Sequence, residues 1–188
     1  MYIKIWTVQR LNVVNHALKQ GIYRPNMLMS DFLHERPERL DLYYFLLSSY
    51  CNVNNISCDG LLFGFLRQLG RDVCYIDSFG EYIDVIRMNK AANAALWNHF
   101  LRDAYVVVEL EMNTDLNLLP IDLNDFQFLM PTVTYRPPEY TQETEAVLRA
   151  NLSRGKFTYS TMPSGLIQVH LPYMAKENIS GIYPIFEI

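Results

Sequence analysis

The chain lacks most of the features that assign a protein at sight. In 188 residues it has three cysteines, four histidines and a modest formal charge of −4. Cys51, Cys58 and Cys74 form an odd set without a secretory context, which predicts reduced thiols and a cytoplasmic location. The opening Met-Tyr-Ile-Lys-Ile-Trp has no basic region followed by an apolar one, so it does not read as a signal peptide. Nor is any apolar run long enough to predict a membrane span. With 20 acidic against 16 basic residues, general electrostatic binding of nucleic acid is disfavoured; a nucleic acid fits only as a substrate in a locally basic groove. The phosphate loop with its Gly-Lys-Ser, the dinucleotide glycine fingerprint, the nucleophile elbow and paired Cys-x-x-Cys are all missing. His16, His34, His99 and His170 are too dispersed for a helical zinc site, so no metal is expected.

Apolar side chains and aromatic rings are abundant. Half the residues are hydrophobic and 19% are charged, enough apolar surface for one core across residues 1–188. The 13 tyrosines point to a contact surface as much as to an interior, and hence to a protein partner or target.

Residues 2–9 read as a strand through Ile3, Ile5 and Val8. Asn12 is a candidate cap for the helix that follows, which Gly21 closes. Pro37 starts a second helix with Leu40, Tyr43, Tyr44 and Leu47 on one face. Residues 61–69 read as a buried helix capped by Ser57 or Asp59, with a strand over 61–66 as the alternative. Strands at 73–76 and 82–86 around Ser78, Phe79 and Gly80 suggest a β-hairpin. Asn89 then caps a helix over 90–102 with Ala94, Trp97 and Leu101 inward, and 105–112 is the strongest strand. The segment 126–133 is ambiguous. Thr141 opens a last helix that Gly155 ends, and short strands are expected at 156–161, 166–170 and 183–188. Helices and strands do not alternate regularly. The predicted class is therefore α+β: a single domain with a mixed, mostly antiparallel sheet and about four to five helices.

Three groups of residues could carry chemistry. Alternation puts Glu109 and Glu111 on one face of the strong strand, either facing water or lining a cleft as catalytic carboxylates. Thr7, Gln9, Arg10, Tyr23 and Arg24 lie at the ends of adjacent elements, where a ligand or cofactor site is commonly built; the alternative is caps and surface contacts. Of the tyrosines on the second helix, Tyr44 is a further binding candidate, although a stripe at helical spacing more often marks core.

Ile5-Trp6-Thr7-Val8-Gln9, a helix and then Gly21-Ile22-Tyr23-Arg24 resemble the opening of the bacterial domain-of-unknown-function 3841 family. Residues 106–111 followed by Leu119, Asp122 and Phe126 are similar to a later part of it. The same strand–helix–glycine opening with a late glutamate strand more distantly resembles ADP-ribosyltransferases. That resemblance implies NAD as cofactor, a protein or nucleic acid as target, and Glu109 or Glu111 as the carboxylate gripping a ribose hydroxyl. Thr7 or Gln9 stands where that family carries His or Arg. The competing expectation is a non-catalytic protein-binding inhibitor or regulator, such as a phage or mobile-element factor acting against a host.

Overall fold

A computed structural model describes residues 2–90, 92–94, 97, 104–131 and 136–184. The first strand, β1 (Tyr2–Arg10), passes directly into α1 (Leu11–Gln20). Gly21 ends α1 in the left-handed region at φ 88°, its N–H donating to Ala17 O at 2.9 Å. Ile22–Tyr23 (β2) leaves the helix, and after the short α2 (Asp31–Glu35) a 3-10 turn at Pro37 leads into α3 (Leu40–Asn54). Then come β3 (Leu62–Leu69), β4 (Asp72–Cys74), α4 (Phe79–Met88) and β5 (Tyr105–Asn113). The chain continues through β6 (Ile121–Asp122), α5 (Leu123–Leu129), α6 (Gln142–Leu152), β7 (Leu166–Leu171), β8 (Met174–Ala175) and β9 (Ile179–Pro184).

Seven strands make one sheet in the order β6-β7-β3-β1-β5-β9, with β4 hydrogen-bonded to β3; β2 and β8 form a separate ribbon. Every described pairing is antiparallel. The α+β class is as the sequence predicts, and β1 lies inside the sheet. On one face Trp6, Val107 and Leu166 meet Leu42 and Leu46 of α3, Tyr82 and Val85 of α4, Phe126 of α5 and Leu148 of α6. On the other face Ile5, Val108, Leu66 and Val169 pack under Val14 and Ala17 of α1. Trp6 is fully buried, stacks on Tyr82 at 5.4 Å, and donates its indole N–H to Ile76 O at 2.8 Å. Burying a ring of that size contributes about 4–6 kcal/mol before entropy is counted.

Several local expectations need correction. Residues 62–69 are a strand, not a helix: their side chains alternate buried and half-buried, and Ser57 and Asp59 cap nothing. Residues 82–86 lie in α4, not in a hairpin strand. Ser78 accepts from Glu81 N, and Glu81 Oε2 accepts from Asp77 N at 2.8 Å, a near-reciprocal cap that overrides the β-favouring side chains. The hairpin partner of β3 is only Asp72–Cys74. Asn12 does not cap α1, whose N-cap position is Arg10. Residues 156–161 form no strand, and Ala94 and Trp97 are exposed rather than inward. Asn89 does cap, accepting from Ala92 N at 2.9 Å. Leu101, His99, residues 132–133 of the ambiguous segment and 185–188 of the last strand lie outside the described residues. Among the described residues no helix is long and apolar enough to cross a membrane.

β7 is buried along its whole length, including Gln168 and His170. The His170 Nδ1–H donates to Leu119 O at 3.0 Å, and Nε2 lies 3.2 Å from the Gln168 amide. Burial holds its pKa down to about 4. The unfolded chain takes up that proton near pH 6.5 and the native imidazole does not, so this contribution to stability is full above pH 6.5 and is lost as pH falls toward 4, by up to about 3 kcal/mol. Urea unfolding at stepped pH should show the wild type losing more stability across that window than His170→Gln; parallel curves would refute the assignment.

Candidate functional site

β1 pairs with β5 along its full nine residues, from Tyr2↔Asn113 to Arg10↔Tyr105. Its pairing with β3 is registered only at Trp6↔Phe65. Beyond that point the two strands part, and the Thr7 hydroxyl spans the fork, donating to Phe63 O at 2.5 Å. A cleft of about 520 Å³ opens there, with Val8, Gln9 and Arg10 of β1 on one side and Leu61, Leu62 and Phe63 on the other. α1 contributes His16, the return loop Tyr23 and Met27, α3 Tyr43 and Leu46, and β5 Tyr105.

The chemistry of the lining differs from that of the chain as a whole. Although acids outnumber bases in the sequence, no Asp or Glu among the described residues lines the cleft, while Arg10 and His16 do. Arg10 Nε donates to the Tyr105 hydroxyl at 3.2 Å, so β1 and β5 fix the guanidinium at the rim. His16 meets the Tyr23 ring edge-on at 5.8 Å. Burial raises the pKa of Tyr23 and Tyr43, so both phenols are neutral hydrogen-bonding groups at ordinary pH. Gln9 donates from Nε2 to Thr7 Oγ1 at 2.8 Å, which orients the amide and leaves its carbonyl oxygen as an acceptor.

The proposed binding residues therefore separate. Gln9 and Tyr23 share the cleft with Arg10. Thr7 is fully buried and reaches the cleft only by holding Gln9. Arg24 lies with its guanidinium 5.5 Å from the Tyr173 ring and does not line the cleft. Tyr44 is 45% exposed; it is the adjacent Tyr43 that faces inward, packed on Phe63 at 5.2 Å. Helical phase decides between two neighbouring tyrosines, and only the strand position of Phe63 reveals which one is correct.

Glu109 and Glu111 share a face of β5, as alternation predicts, but neither lines the cleft. Glu109 stands opposite Trp6, three residues along β5 from Val106, the partner of Gln9. That is about 10 Å along the strand and on the opposite side of the pleat. Lys4 pairs with both carboxylates, at 2.6 Å from Glu109 and 3.8 Å from Glu111. Tyr183 donates to Glu109 Oε2 at 2.9 Å, and the hydrogen bond to Glu109 raises the pKa of both Lys4 and Tyr183. Trp6 shares a rung with Glu109 and is closed in by Tyr82 and by Tyr183 at 5.6 Å.

A second hollow, about 300 Å³, lies between α6 and residues 158–161. Asp125, nearly buried at its edge, accepts hydrogen bonds from the hydroxyls of Tyr140 and Ser160, and burial raises its pKa. These three residues are far apart in sequence and belong to no motif, so nothing in the sequence joins them. Among the described residues no three His, Cys, Asp or Glu side chains converge to hold a metal. No family model, curated protein or solved structure matches the chain.

The Lys4 cluster reads as structural, and a double-mutant cycle tests it. Lys4→Met should destabilise by about 1–3 kcal/mol by leaving Glu109 without its cation, and Glu109→Gln should cost less in that background than in the wild type. Additive urea-unfolding energies would show that the pair is uncoupled.

Proposed function

We propose that the protein binds a nucleotide-type small molecule, with NAD as the representative ligand, at the fork between β1 and β3. The observation that carries this is the lining: aromatic rings with Arg10, His16 and the Gln9 amide, in a cleft of about 520 Å³ on an otherwise acidic chain. A cavity of that size suits a compact organic ligand. Tyr23 and Tyr105 give the cleft aromatic surface for a base, and the oriented Gln9 carbonyl accepts from an amide or exocyclic amine. Arg10 and His16 favour a phosphate.

The ADP-ribosyltransferase resemblance supports NAD as the first ligand to try and gives less support to transfer. A carboxylate that grips a ribose hydroxyl must come within about 3 Å of it. Neither Glu109 nor Glu111 lines the cleft, and both are already paired with Lys4. Binding without covalent chemistry from β5 is thus the reading the geometry favours.

Thermal unfolding with NAD, ADP-ribose and nicotinamide tests this. Ligand at 100 times its dissociation constant should add about 2.7 kcal/mol of stability. Gln9→Ala and Arg10→Ala should each weaken binding roughly tenfold, about 1.4 kcal/mol, and Glu111→Gln should leave it unchanged. No shift at millimolar concentrations of any of the three would refute the reading.

Protein binding is the second reading, favoured by Leu28 and Met29, which stand 67% and 77% exposed on the 3-10 turn beside the cleft. A Leu28→Ser, Met29→Ser double variant should lose a stoichiometric partner that the wild type captures from a host lysate. Equal capture by both would count against this surface.

A further inference from the structure

We propose that Cys51 and Cys58 are a redox-modifiable thiol pair, whose closure to a disulfide under a peroxide oxidant fixes the wall of the fork cleft. The two sulfurs are already in contact. Cys51 lies in the last turn of α3, where Asn55 enters the left-handed region at φ 52° and the Ile56 N–H returns to Cys51 O at 3.1 Å. That reversal brings Cys58 back over the helix end, with Sγ to Sγ at 3.5 Å and Cys51 Sγ also 3.9 Å from Cys58 O. Both residues are half-buried, so a small oxidant reaches them. Cys74 is elsewhere, on β4, with its thiol directed to Arg67 O.

The link from this pair to the cleft is made through backbone. Asp59 O accepts from the Met27 N–H at 2.8 Å. Gly60 sits so close to the return loop that a Cβ there would lie 2.9 Å from Pro25 O and 3.0 Å from Met27 N. Gly60, Pro25 and Met27 all line the cleft. The segment after Cys58 is therefore packed main chain against main chain on the cleft wall, and a bond at Cys58 restrains that wall directly.

The step balances with hydrogen peroxide as oxidant. The Cys51 thiolate attacks one peroxide oxygen, the O–O bond breaks, and hydroxide leaves to be protonated to water. The Cys58 sulfur then displaces the hydroxyl from the Cys51 sulfenic acid; its proton leaves with that hydroxyl as a second water. Two thiols are oxidised by two electrons and one peroxide is reduced. Burial, with Cys51 beside it, raises the pKa of the Cys58 thiol.

The test is peroxide treatment of the full chain, then alkylation under denaturing conditions, peptide mass spectrometry and amide hydrogen exchange, with no ligand added. The expected result is a Cys51–Cys58 cross-linked peptide, alkylated Cys74, reversal by dithiothreitol, and slowed exchange over 26–29. Cys74→Ser should retain the cross-link and Cys51→Ser should abolish it; if the latter does not fold, the wild-type alkylation map decides alone. Alkylated or sulfinic Cys51 and Cys58 without a cross-link would overturn the proposal. A cross-link with unchanged exchange at Met27 would overturn its coupling to the cleft. Neither result depends on whether NAD binds.

Discussion

The long ladder between β1 and β5 is the constraint on which everything else rests. Nine consecutive pairs fix which side chains of the first strand face which helices, and a slip of one residue would turn Trp6 away from Tyr82 and Ile76. With that register set, Lys4 must meet Glu109 and Glu111, and Arg10 must meet Tyr105. The two ends of β1 thereby acquire different characters. One end is closed by charge pairing beneath an aromatic stack; the other is left open as the sheet divides.

The opening has a simple physical origin. β3 stays paired with β7 over six residues, from Leu62↔Leu171 to Arg67↔Leu166, and so follows β7 rather than β1. β1 in turn follows β5. Two well-paired halves of the sheet are joined at Trp6↔Phe65 and separate beyond it. The Thr7 hydroxyl donates across the gap to the Phe63 carbonyl, and the Gln9 amide donates to that hydroxyl in turn. The cleft is a product of strand pairing, with its polar groups placed by the scaffold instead of by a mobile loop.

Much of the fold was legible in the sequence, and the failures have identifiable causes. β1, α1 with its Gly21 end, α3 and β5 follow their hydrophobic periods, and Thr141 caps α6 as its type predicts. The run 61–69 reads as a helix with a strand as its alternative because a short apolar stretch has no period that separates the two; pairing with β7 decides for the strand. For α4 the signal was present as Ser78 and Glu81, but Tyr82, Ile83 and Val85 outweighed it. Within the candidate site, Gln9 and Tyr23 were legible because adjacent element ends must meet. The lysine between the glutamates was not, because Lys4 and Glu111 are joined only by a strand pairing across most of the chain. Phe63 and Tyr105 likewise reach the cleft only through strand pairing.

The divided sheet has a mechanical consequence. Where a sheet is continuous, its strands bend together; at a fork, the two halves are free to flex about their last shared rung. Trp6↔Phe65 is that rung, and the Thr7–Phe63 hydrogen bond is a polar link beyond it. A molecule seated between Gln9 and Leu62 would act as a substitute rung, tying the halves of the molecule into one stiff body. Occupancy of the cleft would then be felt at β6 and β9, the outermost strands, as a change in how far the sheet can twist.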